Sequence, residues 1–248
     1  MISKLKSSIV QSYYFLRYPK ARELKRKGIK FEHFRELNRA WLTASGIKTV
    51  FDVGANEGQF AKLTREVFPL AKIYSFEPLP DCFEKLQNAL PGDKNFFPIN
   101  QAAGSSESVL EFFRSVHSPS SSFLKMEDLH KEAFPESNAG QVNEAIPVKV
   151  NTLDTIFNEV RPEKNILLKI DVQGFEKEVL HGAINMMKEV KVVIIEMSLA
   201  KLYKDQPLFH DIYMIMHERG FSYKGNLSQM SHPQTNEVMQ LDAIFVKE

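Results

Sequence analysis

An apolar run that ends in a glycine-containing turn and continues as a helix is the feature that most restricts the fold of this chain. The run covers residues 49–53, the turn covers residues 54–56, and residues 57–68 carry apolar side chains at helical spacing. Glycine at position 54 allows the backbone to turn sharply and to approach a ligand closely. A strand, a tight loop and a helix N-terminus in this order predict a nucleotide-type cofactor site.

A second apolar run supports the same interpretation. It covers residues 72–76 and is followed by Glu77, which lies 25 residues after Asp52. A carboxylate at this position can accept hydrogen bonds from both hydroxyls of a ribose. The spacing therefore predicts a ligand that contains adenosine.

The loop lacks the motifs of pyrophosphate and phosphate sites. A G-x-G-x-x-G fingerprint that starts at Gly54 would need glycine at the positions of Asn56 and Gln59, and the chain contains no Gly-Lys-Ser or Gly-Lys-Thr. Asp52 is expected at the far end of the ligand, where a carboxylate suits an ammonium group better than a phosphate. S-adenosylmethionine has that shape. The alternative is that Asp52 only caps a turn and that Glu77 only ends a strand.

Five sequence motifs, distributed in a fixed order over most of the chain, carry a resemblance to a known family. They are Phe51–Asn56, Phe76–Pro78, Asn151–Asp154, Leu168–Glu176 and Ile194–Glu196. In this order they resemble the FkbM family of S-adenosylmethionine-dependent methyltransferases, over roughly residues 47–247. The resemblance implies a class I methyltransferase fold and O-methylation of a hydroxyl on a sugar, glycan, polyketide or related metabolite. Gln173 departs from the family, which more often has glutamate there, and this puts a catalytic carboxylate at position 173 in doubt.

Alternating strand and helix patterns predict an α/β fold, Rossmann-like, with a mainly parallel sheet and helices on both faces. Strands are expected near residues 48–53, 72–77, 95–101, 166–171, 191–197 and 241–247, and helices near 57–68, 81–90, 174–189 and 207–219. Two more strands are expected near 109–113 and 146–150, around a polar insert at 115–141. The insert is predicted to act as a lid over the acceptor.

Ligands of such sheets lie beyond the carboxyl ends of the strands, so the motifs converge on one crevice. The predicted cofactor-binding residues are Asp52, Gly54, Ala55, Asn56, Glu77, Pro78, Asn100 and Gln101. The predicted ligand is S-adenosyl-L-methionine, and the acceptor is expected to be a small molecule or a glycan.

The catalytic candidates follow from the chemistry of an alcohol acceptor. An alcohol holds its proton about as tightly as water, with a pKa of ~15.7, so a base or a metal assists its methylation. Asp171 and Glu196 each follow or end an apolar strand, and His117 lies in the serine-rich insert. The alternative to a catalytic role is that Asp171 and Glu196 are ordinary carboxylates at strand ends and that His117 is a solvated loop histidine. The histidines show no metal-ligand spacing, and no metal site is predicted.

The N-terminus differs in charge from the rest of the chain. Residues 1–30 hold nine Lys or Arg and one acidic residue, whereas the whole chain has a net charge of +1, which argues against a general nucleic-acid-binding surface. The apolar group at 9–16 is too short and too polar to span a membrane, and no secretory cleavage site follows it. We expect a cytoplasmic protein whose basic segment packs on the domain or rests on an anionic membrane surface.

Length and composition indicate one catalytic domain with an extension. With 248 residues and 43% hydrophobic residues, the chain can bury a substantial core. We expect a basic helical extension at 1–46 and the methyltransferase domain at 47–248. Cys82 is the single cysteine, which excludes an intrachain disulfide, and it is expected to be a buried or half-buried structural thiol. An adenosine-cofactor oxidoreductase and a non-catalytic cofactor-binding module are the alternative functions, and the sequence gives no indication of the oligomeric state.

Overall fold

The computed structural model describes residues 19–113, 121–124, 127 and 145–248. Within these ranges the helices are α1 Pro19–Arg26, α2 Phe31–Leu37, α3 Ala40–Thr43, α4 Gln59–Val67, α5 Pro80–Gln87, α6 Leu153–Val160, α7 Glu176–His181 and α8 Phe209–Glu218, with a short 3-10 helix at Met186–Lys188. The strands are β1 Thr49–Val53, β2 Lys72–Phe76, β3 Phe96–Ile99, β4 Ala102–Ala103, β5 Ser108–Phe113, β6 Ala145–Asn151, β7 Ile166–Ile170, β8 Val190–Ser198, β9 Phe221–Ser231 and β10 Val238–Lys247.

Seven strands form the central sheet, in the order β3-β2-β1-β7-β8-β10-β9. The strands from β3 to β8 in this order are parallel, and β10 runs antiparallel to both of its neighbours. The predicted mainly parallel sheet is confirmed. Because the strand order reverses at β1, the crevice at the carboxyl ends of β1 and β7 is where an α/β sheet of this kind binds a ligand.

Side chains of the central strands alternate between two hydrophobic cores. In β1, Val50 belongs to one core, whereas Phe51 belongs to the other. The core around Val50 contains Phe60 and Leu63 of α4, and the core around Phe51 contains Val179 of α7. Helices therefore cover both faces of the sheet, as the sequence predicted, because a buried parallel strand needs apolar neighbours on each side.

A second, three-stranded sheet has the order β4-β6-β5. It contains the two additional strands that were expected on either side of the insert. A small core beneath it includes Cys82, which is 1% exposed, together with Phe112 and Val150. The prediction of a buried thiol is therefore confirmed.

Several elements differ from the sequence prediction, among them α6, which was not predicted. The helix expected over 174–189 ends at His181, because Gly182 packs against the backbone of Gly104 so closely that a Cβ would lie 1.9 Å from its carbonyl oxygen. The strand β9 was not predicted at all. It forms the edge of the sheet, and only Phe221 and Leu227 among its residues are buried.

The N-terminal helices pack on the same side of the sheet as α4. Leu24, Leu37 and Leu42 from these helices share one core with Val50 and Phe60. No helix within the described ranges is long and apolar enough to cross a membrane. Residues 1–18, which include the predicted membrane-surface segment, lie outside the described residues. The domain boundary at residue 46 and the membrane contact stay predictions.

Candidate active site

One cavity of about 600 Å³ opens at the carboxyl ends of the central strands. This volume falls within the ~300–1,000 Å³ typical of small-molecule sites. Its walls include Gly54, Ala55, Asn56, Glu77 and Pro78, which were predicted to bind the cofactor, and both carboxylates predicted to be catalytic. The structure therefore brings the loop after β1, the end of β2 and the ends of β7 and β8 together at one site.

The loop after β1 is shaped by close backbone contacts. Gly54 has a φ of 78°, and a Cβ at this position would lie 1.8 Å from the carbonyl oxygen of Asp171. The backbone N–H groups of Gly54 and Ala55 both donate to the carbonyl oxygen of Phe76, at 3.1 and 2.9 Å. These contacts place the loop at the junction of β1, β2 and β7. Only glycine fits at position 54, because any side chain would collide with the backbone of Asp171.

Glu77 lies at the end of β2 with its carboxylate held by the backbone. Its Oε2 accepts a hydrogen bond from Asn56 N at 2.8 Å, and its Oε1 accepts one from Leu79 N at 2.9 Å. Burial raises the pKa of Glu77 to about 7, although these two backbone N–H groups oppose the rise. Since a carboxylate oxygen can accept more than one hydrogen bond, both oxygens can still accept from the hydroxyls of a ribose.

Asp52 does not line the cavity. It is fully buried, accepts a hydrogen bond from Ser75 Oγ at 3.2 Å, and lies 3.6 Å from the ammonium nitrogen of Lys169. The cation next to Asp52 in this structure is therefore Lys169. The expected contact between Asp52 and the ammonium group of a ligand stays a prediction, and Asp52 could reach the ligand only through its neighbours.

Lys169 is a central charge of the site that the sequence analysis did not select. Its Nζ donates to Gly54 O at 3.1 Å and lies 3.2 Å from Asp171 Oδ2. Burial lowers the pKa of Lys169, but the charges of Asp171 and Asp52 outweigh burial and raise it above its ordinary value. The sequence contains a clue, because Lys169 is the one charged residue in an otherwise apolar buried strand.

A glutamine amide joins the two predicted catalytic carboxylates. Nε2 of Gln173 donates to Asp171 Oδ1 at 2.8 Å and to Glu196 Oε2 at 2.7 Å. On the other side, Tyr203 donates its hydroxyl to Gln173 Oε1 at 2.8 Å. Asp171 and Glu196 thus accept hydrogen bonds from the same amide nitrogen. The sequence did not predict these contacts of Gln173.

The carboxylates near Glu196 lie in an environment that favours protonation. Burial, followed by the charges of Asp171 and Glu176, raises the pKa of Glu196 well above its ordinary value, and Lys169 opposes this. Asp242, which is paired with Glu196 across β8 and β10, has its pKa raised to about 6 by burial and then by Asp171. Carboxyl groups with raised pKa values in a cavity are typical of proton-transfer sites.

Besides Asp52, the predicted residues Asn100 and Gln101 do not line the cavity. Asn100 donates its side-chain amide to Glu77 O at 2.9 Å and to Pro78 O at 3.2 Å, so it stabilises the loop after β2, and its contact with the ligand stays a prediction. Gln101 follows it and is half-buried. His117 lies outside the described residues, as does most of the predicted lid. Of the insert, Ser121 and Phe123 line the cavity.

Part of the cavity wall comes from chain segments at the two ends of the sequence. From the N-terminal side, Lys30 and His33 line the cavity, and from β9 and β10 the corresponding residues include Met230, Gln240 and Asp242. Burial and then the charge of Lys30 lower the pKa of His33, so its imidazole is largely neutral at pH 7. The sequence analysis missed this wall, because its residues form no motif.

The model of a protein family that is described as "Methyltransferase FkbM domain" matches residues 52–223 of this chain. The chain belongs to the FkbM methyltransferase family. Methyltransferase sdnD of Sordaria araneosa is 30% identical over 156 residues, which cover 54% of this chain and 59% of that protein. Hexuronic acid methyltransferase AglP of Haloferax volcanii is 27% identical over 148 residues, 59% of this chain and 54% of that protein. The chain therefore matches little more than half the length of these two relatives.

A solved FkbM methyltransferase, from Methylobacillus flagellatus, aligns with 81% of this chain and 43% of its own chain, at 15% identity and a TM-score of 0.47. The FkbM family match and the sheet topology confirm the predicted family and the class I α/β fold. Family membership favours a methyltransferase over the alternative of an adenosine-cofactor oxidoreductase.

Proposed function

We propose that the protein transfers a methyl group from S-adenosylmethionine to a hydroxyl of a sugar, with Glu196 as the proton acceptor. The observation that carries the proposal is the pair of carboxylates that accept hydrogen bonds from Gln173, because they line the same cavity as the loop after β1 and Glu77. The proposed cofactor loop and the proposed proton acceptor thus belong to one cavity.

The residues of the cavity suit this cofactor. Glu77 offers two fixed carboxylate oxygens for the ribose, and the Gly54 turn lets the backbone of residues 54–56 form a close wall. When bound, S-adenosylmethionine supplies a methyl group that its sulfonium already activates. The protein then has to align the hydroxyl, exclude water and accept one proton.

Glu196 is the better candidate for the base because of the atoms that remain available. In Asp171, Oδ1 accepts a hydrogen bond from Gln173, and Oδ2 lies 3.2 Å from Lys169 Nζ. Glu196 uses Oε2 for Gln173, and its Oε1 has no hydrogen-bond partner among the described residues. With S-adenosylmethionine bound, Glu196 would accept the proton of the acceptor hydroxyl, and the cofactor would supply the methyl group and leave as S-adenosylhomocysteine.

The acceptor proposal draws on the relatives and on the charges of the wall. A relative that is named a hexuronic acid methyltransferase supports a sugar with a carboxylate. Lys30 contributes an ammonium group to the cavity wall, which also contains the apolar side chains of Leu227 and Met230. An apolar side can cover a sugar face, and Lys30 can pair with a sugar carboxylate.

The test is methyl transfer by the full chain to a panel of acidic and neutral glycosides, measured with isotopically labelled S-adenosylmethionine. We expect transfer to an acidic glycoside, and we expect Glu196→Gln to lower kcat by ~10²–10⁴ with little change in the affinity for S-adenosylmethionine. Binding of the cofactor without transfer to any hydroxyl acceptor would support the non-catalytic alternative. An unchanged kcat in Glu196→Gln would remove Glu196 as the base.

A further inference from the structure

Gln173 occupies a strained backbone position that is stabilised by contacts from a distant part of the chain. Its φ is 56°, in the left-handed region that residues other than glycine seldom adopt. Ser122 Oγ donates to the carbonyl oxygen of Gln173 at 2.6 Å, and Leu124 N donates to the same Ser122 Oγ at 2.9 Å. Strain of this kind, which costs of order 1–3 kcal/mol, is concentrated at functional sites.

The orientation of the Gln173 amide follows from its partners. Asp171 and Glu196 can only accept hydrogen bonds when ionised, so the NH2 group faces them and the carbonyl oxygen faces the hydroxyl of Tyr203. The opposite orientation would place a carbonyl oxygen against two carboxylates. Tyr203 is fully buried, which fixes this arrangement from behind.

We propose that Gln173 is a positioning residue that lets Asp171 and Glu196 stand side by side as hydrogen-bond acceptors and directs the remaining oxygen of Glu196 toward the acceptor hydroxyl. The inference rests on the proposed proton transfer to Glu196. A glutamate at position 173 would bring a third carboxylate to the same point, and one of the three carboxyl groups would then have to keep a proton. The glutamine of this chain allows Glu196 to act as a base at a lower pH than a glutamate would.

The charged groups around Glu196 come from several elements. Asp171 follows β7, Glu176 begins α7, Asp242 lies on β10, and Lys169 lies within β7. Lys30 from the N-terminal segment acts on Asp242. Gln173 is the neutral hydrogen-bond donor among these groups, so its replacement by an acid changes the charge balance at the point of contact.

The test compares Gln173→Glu with the wild type and with Gln206→Glu. Gln206 is the control because it is a glutamine in hydrogen-bond contact with the loop that contains Tyr203, and because it does not line the cavity. It is buried, and its Oε1 accepts hydrogen bonds from Leu202 N and Tyr203 N. The titration of Glu196 is followed by carboxyl carbon NMR on the protein without acceptor, with Glu196→Gln to assign the resonance. The pH dependence of kcat is measured in parallel.

In Gln173→Glu we expect the titration of Glu196 and the apparent pKa of kcat to rise together by about one unit or more, with the affinity for S-adenosylmethionine changed less than about twofold. At pH values below the apparent pKa of the wild type, this corresponds to a loss of roughly tenfold in kcat that recovers at higher pH. A titration of Glu196 that is the same as in the wild type, or an equal rise in Gln206→Glu, would overturn the inference. If the wild type methylates no acceptor, the proposed function fails, and the NMR titration still decides whether Gln173 positions the two carboxylates.

Discussion

At the scale of single residues, the site depends on a few atoms whose partners are far apart in the sequence. Glu77 is held by the N–H groups of Asn56 and Leu79, and Glu196 is held by Gln173. In both cases the fixed carboxylate keeps accepting capacity for a ligand. Under the proposed function, Glu77 marks the cofactor end of the site and Glu196 marks the acceptor end.

Replacement of Glu77 by glutamine tests the cofactor end. Because an ionised carboxylate accepts stronger hydrogen bonds than an amide, Glu77→Gln should weaken S-adenosylmethionine binding by roughly 1.5–3 kcal/mol, measured by calorimetry. Burial raises the pKa of Glu77 to about 7, so the affinity of the wild type should fall below that pH and the variant should lose this dependence. Glu57→Gln is the control, since Glu57 pairs with Lys85 away from the cavity. Equal affinities for Glu77→Gln and wild type would contradict the ribose assignment.

The turn at Gly54 gives a prediction about stability. Gly54→Ala should lower the free energy of unfolding by about 2 kcal/mol or more, because its Cβ would collide with the backbone of Asp171 in addition to straining φ. Gly92→Ala is the matched control, since Gly92 has a similar φ of 77° but no atom near a Cβ. Urea unfolding of both variants separates the collision from the strain, and equal losses would argue against the close approach.

At the scale of elements, the N-terminal helices form part of the cavity because they share a core with α4. Leu24 and Leu37 pack with Phe60 of α4, and this packing brings Lys30 and His33 to the cavity wall. Phe123 of the insert, which also lines the cavity, contacts Phe112 and Phe175 with ring centroids 4.8 and 4.6 Å apart. Acceptor specificity is therefore expected to depend on elements that lie outside the strand-loop-helix unit.

Lys30→Ala tests the contribution of the N-terminal wall. If Lys30 pairs with the carboxylate of an acidic acceptor, its loss should raise the KM for that acceptor by roughly tenfold and leave the KM for a neutral glycoside nearly unchanged. Arg22→Ala, on the exposed surface of α1, should leave both KM values as in the wild type. A KM that rises equally for both acceptors would show that Lys30 has only a general role in shaping the wall.

At the scale of the whole molecule, buried acids link stability to pH. Burial raises the pKa values of Glu77 and Glu176 to about 7 and that of Asp242 to about 6. A folded protein with raised acid pKa values binds protons more tightly than the unfolded chain. The stability that these groups contribute is therefore full below their unfolded pKa values and is lost as the pH rises through the folded ones.

We accordingly expect the free energy of unfolding to fall by on the order of a few kcal/mol as the pH rises from about 4.5 to about 7, measured by urea unfolding with circular dichroism. Glu176→Gln should make this slope shallower. Glu66→Gln is the control, because hydrogen bonds from Lys20 and Lys27 outweigh burial and lower the pKa of Glu66, so its contribution changes at lower pH. A slope that is identical in Glu176→Gln and wild type would show that Glu176 does not titrate in this range.

Much of the fold follows from local patterns in the sequence. The alternation of apolar strands and amphipathic helices predicted β1, β2, β7, β8 and β10, since each pattern depends on residues a few positions apart. The edge strand β9 could not be recognised in this way, because it contains Gly225 and Asn226 and buries few of its side chains. The end of α7 at His181 depended on a contact between Gly182 and Gly104, which no local pattern contains.

The sequence by itself determined the positions of Gly54, Glu77, Asp171 and Glu196 at the ends of strands, because parallel strands bring their carboxyl ends to one edge. Only the tertiary structure decided how these residues are paired. Lys169 reaches Asp52 across neighbouring strands, and the amide of Gln173 reaches both catalytic candidates. Such contacts depend on strand register and on packing between distant segments, whereas short-range periodicity determines only which residues lie on a given face.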